Sequence, residues 1–155
     1  MRSKQRRIFA FLWIFAALGG CDYSSPPAYE NRDQPVTAAD VEILDKANAL
    51  LLSESSWNRN DTRKCPAEAK MLSLFCALHD ASIEVLGSYD HRRVALQEVR
   101  FIIEDVSGGR KFQHRLMDFN NLPTTTFGDV KKVLAMARAK VVARLPAPTH
   151  TPSSG

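Results

Sequence analysis

Residues 94–106, VALQEVRFIIEDV, decide the fold class. The five residues 99–103 carry β-favouring side chains and allow a short strand. Val94, Leu96, Val99, Ile102, Ile103 and Val106 nevertheless recur at helical spacing, which is the inward stripe of an amphipathic helix. Read that way, the segment forms a helix over residues 91–106 with Asp90 as its cap. Nothing else in the chain then asks for a strand.

On the C-terminal side, Ser107-Gly108-Gly109 makes a turn. A shorter helix over residues 112–120 places Phe112, Leu116, Met117 and Phe119 inward, and Pro123 ends it. Thr126 and Asp129 then form a capping box. The helix they open carries Val130, Val133, Leu134, Ala137, Val141 and Val142 and runs to about residue 145. Lys140 and Arg144 sit near its C-terminus, where cations suit the helix dipole. Pro146 stops it, and residues 146–155, PAPTHTPSSG, read as a disordered tail.

On the N-terminal side, Pro66 at a first helical position opens a helix over residues 66–86, closed by Gly87. Before it, residues 53–64 are polar except Trp57, which reads as an anchor folded onto the core. Thr37 caps the first helix, with Asp40 completing a capping box and Val36 stapling to Val41. The expected fold is therefore all-α: a single small bundle of four or five helices over residues 36–145.

The cysteines sharpen this picture. On one continuous helix from residue 66, Cys65 and Cys76 stand ~16 Å apart. A disulfide requires Cα atoms within ~7 Å, so no bridge is expected. Cys76 reads as a buried small hydrophobe and Cys65 as the freer thiol.

The leader is a separate matter. Arg2, Lys4, Arg6 and Arg7 precede an unbroken apolar run at residues 8–18, IFAFLWIFAAL, followed by small residues and a cysteine. A basic region, a short apolar region and a small-residue site define a secretory signal. The run is about half the ~20 residues a spanning helix needs. Leu18-Gly19-Gly20-Cys21 resembles the lipobox of bacterial lipoproteins. The resemblance implies cleavage after Gly20, so that residues 1–20 are the signal, and acylation of Cys21. The covalent lipid on Cys21 is the sole prosthetic group expected; no other cofactor and no metal is. Asp22 resembles the sorting residue that keeps lipoproteins in the inner membrane of two-membraned bacteria. Arg6-Arg7 also looks like part of a twin-arginine signal, but the strongly apolar run favours the ordinary secretion route. Residues 21–35, rich in Pro and Ser, read as a flexible tether.

Charge narrows the partners. The first seven residues hold four of the 21 basic side chains and none of the 17 acids, so the remainder balances at 17 against 17. That excludes a large basic field for nucleic acid. Arg110, Lys111, His114 and Arg115 form a local basic cluster, read as a solvated face or as a contact for anionic lipid heads.

No HExxH, GxSxG, phosphate-binding glycine loop or CxxC is present. The polar candidates that remain are His79 and Asp80, then Asn120 and Asn121. His79 reads as a bonded residue at the core edge. The asparagines read as bonding the turn backbone before Pro123.

Phe75-Cys76-Ala77-Leu78, Asp118 to Pro123, Thr125-Thr126 and Asp129-Val130 resemble a bacterial and phage family of small helical domains with no assigned function. The resemblance spans about residues 37–140 and includes Trp57. It departs at His79-Asp80, where Gly-Ala is common, and at Asn121, where Asp is usual. It implies the fold and carries no catalytic residue over.

The expected function is that of a membrane-anchored lipoprotein, a non-enzymatic accessory or binding protein of the cell envelope. It would sit on the periplasmic face of the inner membrane if the source has two, and its partners would be the membrane and an envelope protein. One alternative is a small envelope hydrolase using His79, Asp80 or Cys65. Another is an inhibitor or immunity protein against an envelope-acting toxin.

Overall fold

The computed structural model describes residues 28–147. The leader, Cys21, Asp22, the start of the tether and the tail from residue 148 lie outside the described residues. Five helices follow one another: α1 (Ala38–Leu50), α2 (Leu74–Leu86), α3 (Val94–Val106), α4 (Arg115–Asn121) and α5 (Phe127–Ala143). Single 3₁₀ turns occupy Ala28–Glu30 and Glu54–Ser56. Residues 99–103 lie inside α3, and no strand is present among the described residues. The all-α expectation holds.

The core is a single cluster. α1 contributes Ile43, Leu44 and Ala47, α2 contributes Leu74, Ala77, Leu78 and Ala81, and α3 contributes Leu96, Val99, Ile102 and Ile103. Val130, Val133, Leu134, Ala137 and Val141 of α5 close it. α1 packs on α2, α3 and α5, while the short α4 bridges α2 and α3. Val106 departs from the expected stripe: it is exposed in the last turn of α3.

Two capping boxes stand where the sequence placed them. Thr126 accepts from the Asp129 amide, and its own amide donates to the Asp129 carboxylate at 2.9 Å. Asp40 does more than complete the Thr37 box. One carboxylate oxygen accepts from the Thr37 amide at 2.8 Å, and the other accepts from the Ala95 amide at 3.1 Å. A single buried side chain therefore satisfies free amides at the starts of both α1 and α3. Arg93 pairs with it at 2.8 Å, supplying the charge a buried carboxylate needs. This explains why α3 begins at Val94 rather than at residue 91. Asp90 only turns the chain before it, accepting from the Arg92 amide.

The largest correction concerns α2. It starts at Leu74, not at Pro66, with Ser73 as its N-cap. Residues 66–69 form an isolated turn. Leu72 then pairs with the chain around Trp57: its amide donates to Ser56 and its carbonyl accepts from Asn58. With its backbone engaged in that way, Leu72 cannot enter a helix. The segment before α2 folds back, and Cys65 and Cys76 form a disulfide with Cα atoms 5.3 Å apart. The expectation of two separate thiols assumed one continuous helix, and the geometric rule fails with that assumption. α4 likewise starts later than expected, at Arg115.

The end of the expected tether is also placed. Arg32 makes a two-pronged bond to Asp105 of α3 and lies over the Phe101 ring, 4.7 Å from its centre. Glu30 pairs with Arg115 at 2.9 Å. Arg144, the residue directly after α5, donates to the Gln34 carbonyl. Residues 28–35 thus lie against the domain.

Removing the bridge by Cys65→Ser frees a segment closed over 11 positions. The expected loss is roughly 2–3 kcal/mol of unfolding free energy, measured by denaturant titration of oxidised protein against the variant. Equal midpoints would mean the bridge closes nothing in the unfolded chain. A second outcome follows from Asp105, whose pKa is lowered chiefly by the Arg32 hydrogen bond. Because its folded value is depressed, this contribution is present above the unfolded carboxylate pKa and fades as pH falls through the folded value. The protection factors of residues 31–34, which correct for the intrinsic slowing of amide exchange in acid, should therefore fall on acidification before those of α3.

Candidate functional site

Asn120 and Asn121 are joined to the loop before α2 rather than to their own turn. Asn120 is fully buried. Its Oδ1 accepts from Trp57 Nε1 at 2.7 Å and from the Leu74 amide at 3.0 Å. Its Nδ2 donates to the Asn58 carbonyl at 2.9 Å. Asn121 Oδ1 accepts from the Asp61 amide, and its Nδ2 donates to the Asp61 carbonyl, in the manner of a backbone ladder. Arg59 closes the set by donating to the carbonyls of Leu122, Pro123 and Thr125 at the end of α4. Every amide hydrogen-bonding group of Asn120 is used inside the protein. This constellation builds the fold; within it, Asp61 Oδ2 is buried without a partner among the described residues.

His79 and Asp80 pair with each other, Nδ1 to Oδ1, at 2.8 Å on the part-exposed face of α2. The His79 ring lies 4.8 Å from the Tyr89 ring and 6.0 Å from that of Phe75. This is the bonded histidine at the core edge that the sequence suggested. No hydrogen bond joins this pair to Asn120 or Asn121 among the described residues, so the four polar candidates do not form one site. No cluster of metal-ligating side chains occurs among the described residues. The Cys65 sulfur is held in the disulfide and is not a free thiol.

The basic cluster is divided as well. Arg115 is engaged by Glu30 and Glu104. Arg110 and Lys111 are exposed in the turn before α4.

What the structure does assemble is a cavity of about 350 Å³ between α2, α3 and α4. Phe75 and Tyr89 give it an aromatic wall, and Arg63, Gln97, Arg100 and His114 give it polar groups. Arg63 has a left-handed backbone, φ 59°, and its amide donates to Asp61 at 2.6 Å. That turn carries the side chain over Phe75 and places the guanidinium 3.5 Å from both ring nitrogens of His114. Arg100 donates to the His91 carbonyl at 2.7 Å. Desolvation lowers the Arg100 pKa and raises that of the neighbouring Tyr89, each partly offset by the other. None of these four polar residues was singled out from the sequence as a site except His114, as part of the basic cluster. Gln97 gave no such signal either: on α3 it falls on the side away from the apolar stripe, with Arg100 and Glu104, and only the packing shows it buried.

A protein-family model described as "Family of unknown function (DUF6197)" matches residues 34–140. No curated protein and no solved structure matches the chain. The matched span holds all five helices except the last three residues of α5.

Asn120→Ala would leave the Trp57 indole N–H and the Leu74 amide buried without an acceptor. The expected cost is about 2–4 kcal/mol, read from chemical denaturation. Asn120→Asp keeps the acceptor but loses the bond to Asn58, and it buries a charge. Stability unchanged in both variants would remove Asn120 as the link between α4 and the loop.

Proposed function

We propose that this chain, which belongs to a family of unknown function over residues 34–140, is a lipid-anchored binding protein of the cell envelope rather than an enzyme. The observation that carries the reading is Leu18-Gly19-Gly20-Cys21, closing a basic and then apolar leader. Such a leader directs export. A thioether-linked diacyl group on Cys21, with a further chain on its amine, would give several acyl chains, enough for stable attachment where one is marginal.

The disulfide supports the same compartment, because disulfides persist where the environment is oxidising. Among the described residues, no helix is long and apolar enough to cross a membrane. Attachment would then rest on the lipid. Asp22 directly after the lipidated residue would hold the protein on the periplasmic face of an inner membrane.

Binding is favoured over hydrolysis by the arrangement of side chains. With Cys65 oxidised, a thiol nucleophile is lost from the hydrolase reading. His79 pairs with Asp80 and lies against the Phe75 and Tyr89 rings, with no hydrogen bond to a serine or threonine hydroxyl or to a thiol among the described residues. The cavity beside them offers fixed cations and aromatic surface, which suit recognition. An envelope protein is the second partner of this reading, met by the helical surface that the anchor holds at the membrane.

Cys21→Ser should abolish labelling by radioactive palmitate and leave the unprocessed chain. Mature-size protein still fractionating with membranes would defeat the lipoprotein assignment. In a source with two membranes, Asp22→Ser should shift the protein towards the outer-membrane fractions of a sucrose gradient. An unchanged distribution would remove the inner-membrane placement.

A further inference from the structure

The cavity between α2, α3 and α4 combines three features that rarely coincide without a ligand. The first is uncompensated positive charge. Arg115 at its rim is matched by Glu30 and Glu104. Arg63 and Arg100, by contrast, pair with no carboxylate among the described residues; Arg63 stacks on His114 and Arg100 bonds a neutral carbonyl. Arg100 is part-buried, and such a guanidinium normally has a carboxylate partner, because removing charge from water is costly; Arg63 is exposed.

The second feature is an unsatisfied acceptor. Gln97 is 2 % exposed and lines the cavity. Its Nε2 donates to the His91 carbonyl at 2.8 Å, which fixes the orientation of the amide. Its Oε1 has no partner among the described residues. Buried acceptors without partners are uncommon, and this one calls for a donor on whatever occupies the space.

The third feature is the wall. The Phe75 and Tyr89 rings meet at 77° with centres 5.9 Å apart, giving an apolar surface beside the charged groups. A carbon chain bearing hydroxyls can lie against such rings while its anionic end meets the guanidinia.

We propose that this cavity binds a small phosphorylated polyol of the glycerol phosphate class, with Arg63 and Arg100 on the phosphate and Gln97 Oε1 accepting from a hydroxyl. Arginine forks match phosphate oxygens bidentately. A bare anion leaves Gln97 unmet, and a neutral polyol leaves both guanidinia unmet. A cavity of about 350 Å³ is at the small end of ligand sites, which suits a three-carbon unit. The same chemistry has two sources: the headgroup of phosphatidylglycerol, or a free glycerol phosphate.

Tyr29 and Glu30 at the cavity rim stand just after Ala28, seven residues beyond Cys21. That stretch can reach at most ~25 Å. The headgroup source rests on the proposed lipid anchor, which would keep the rim near the membrane; affinity for the phosphorylated polyol does not.

The test is calorimetric titration of the full chain in neutral detergent with sn-glycerol 3-phosphate, inorganic phosphate and glycerol. One-to-one binding of sn-glycerol 3-phosphate is expected, with phosphate and glycerol each at least about tenfold weaker. Arg63→Gln, at an exposed position, and Arg100→Gln should each weaken binding by about tenfold or more. Gln97→Met should weaken sn-glycerol 3-phosphate towards the affinity of phosphate alone, a loss of discrimination that a merely structural defect would not produce. Thermal unfolding of each variant identifies any that fails to fold, and Arg63→Gln then decides.

Competition by dihexanoyl phosphatidylglycerol, but not by dihexanoyl phosphatidylcholine, assigns the headgroup as the source. Absence of competition assigns the free ester. No binding of sn-glycerol 3-phosphate, equal affinity for inorganic phosphate, or binding unchanged in Arg63→Gln overturns the proposal. None of these results depends on whether Cys21 is lipidated, so failure here and failure of the anchor remain distinguishable.

Discussion

The amide of Asn120 is the constraint on which the rest of the domain depends. It sits in the last turn of α4, yet its partners are the Trp57 indole, the Asn58 carbonyl and the first amide of α2. Three segments far apart in the chain are thereby held at one buried point. A buried amide tolerates no slack, since each group left without a partner costs about 1–3 kcal/mol. The loop between α1 and α2 must therefore pass close to α4, and Trp57 must point inward. Asn121 and Arg59 reinforce the contact from either side. Once the loop is placed there, Leu72 meets Ser56 and Asn58, α2 begins at Leu74, and Cys65 comes within bonding distance of Cys76.

Buried charge supplies the second level of order. Asp40 caps two helices and is balanced by Arg93. Glu98, also buried, receives Arg144 at 2.9 Å and Lys140 at 3.6 Å from α5. Lys131 donates to the Asn48 and Leu51 carbonyls at the end of α1, and desolvation lowers its pKa. Breaking a buried pair is costly even where forming it gains little. These contacts therefore specify how α1, α3 and α5 meet, while the apolar cluster supplies the bulk of the stabilisation.

Against this economy of satisfied groups, the cavity between α2, α3 and α4 stands apart. Elsewhere, Arg32, Arg93, Arg115, Arg138 and Arg144 end on carboxylates and Arg59 on the carbonyls after α4. Here Arg63 is turned over an aromatic ring by a left-handed backbone, a conformation that a non-glycine residue adopts at some cost. Gln97 Oε1 has no donor there, and Arg63 and Arg100 make no salt bridge, among the described residues. The rim of that cavity includes Tyr29 and Glu30, eight and nine positions after Cys21 in the sequence.

The sequence by itself determined the all-α class of four or five helices, the Thr37 and Thr126 caps, the Gly87 stop and the buried Trp57. These depend on interactions within about four residues or on the apolar period, and both are written in consecutive residues. It also held the entire reading of the leader and Cys21, which is a matter of order along the chain. Only the tertiary structure decided where α2 begins, that Cys65 and Cys76 are joined, and that residues 28–35 lie on α3. Pro66 is a valid helix start locally; what overrides it is the pairing of Leu72 with a strand-like segment fourteen to sixteen positions earlier. Asn120 looked like a turn residue because its true partners lie about sixty positions away. The cavity was the least legible feature. Arg63, Gln97 with Arg100, and His114 come from three separate segments, and no spacing along the chain relates the α3 pair to the loop and α4 residues that only tertiary packing brings beside it.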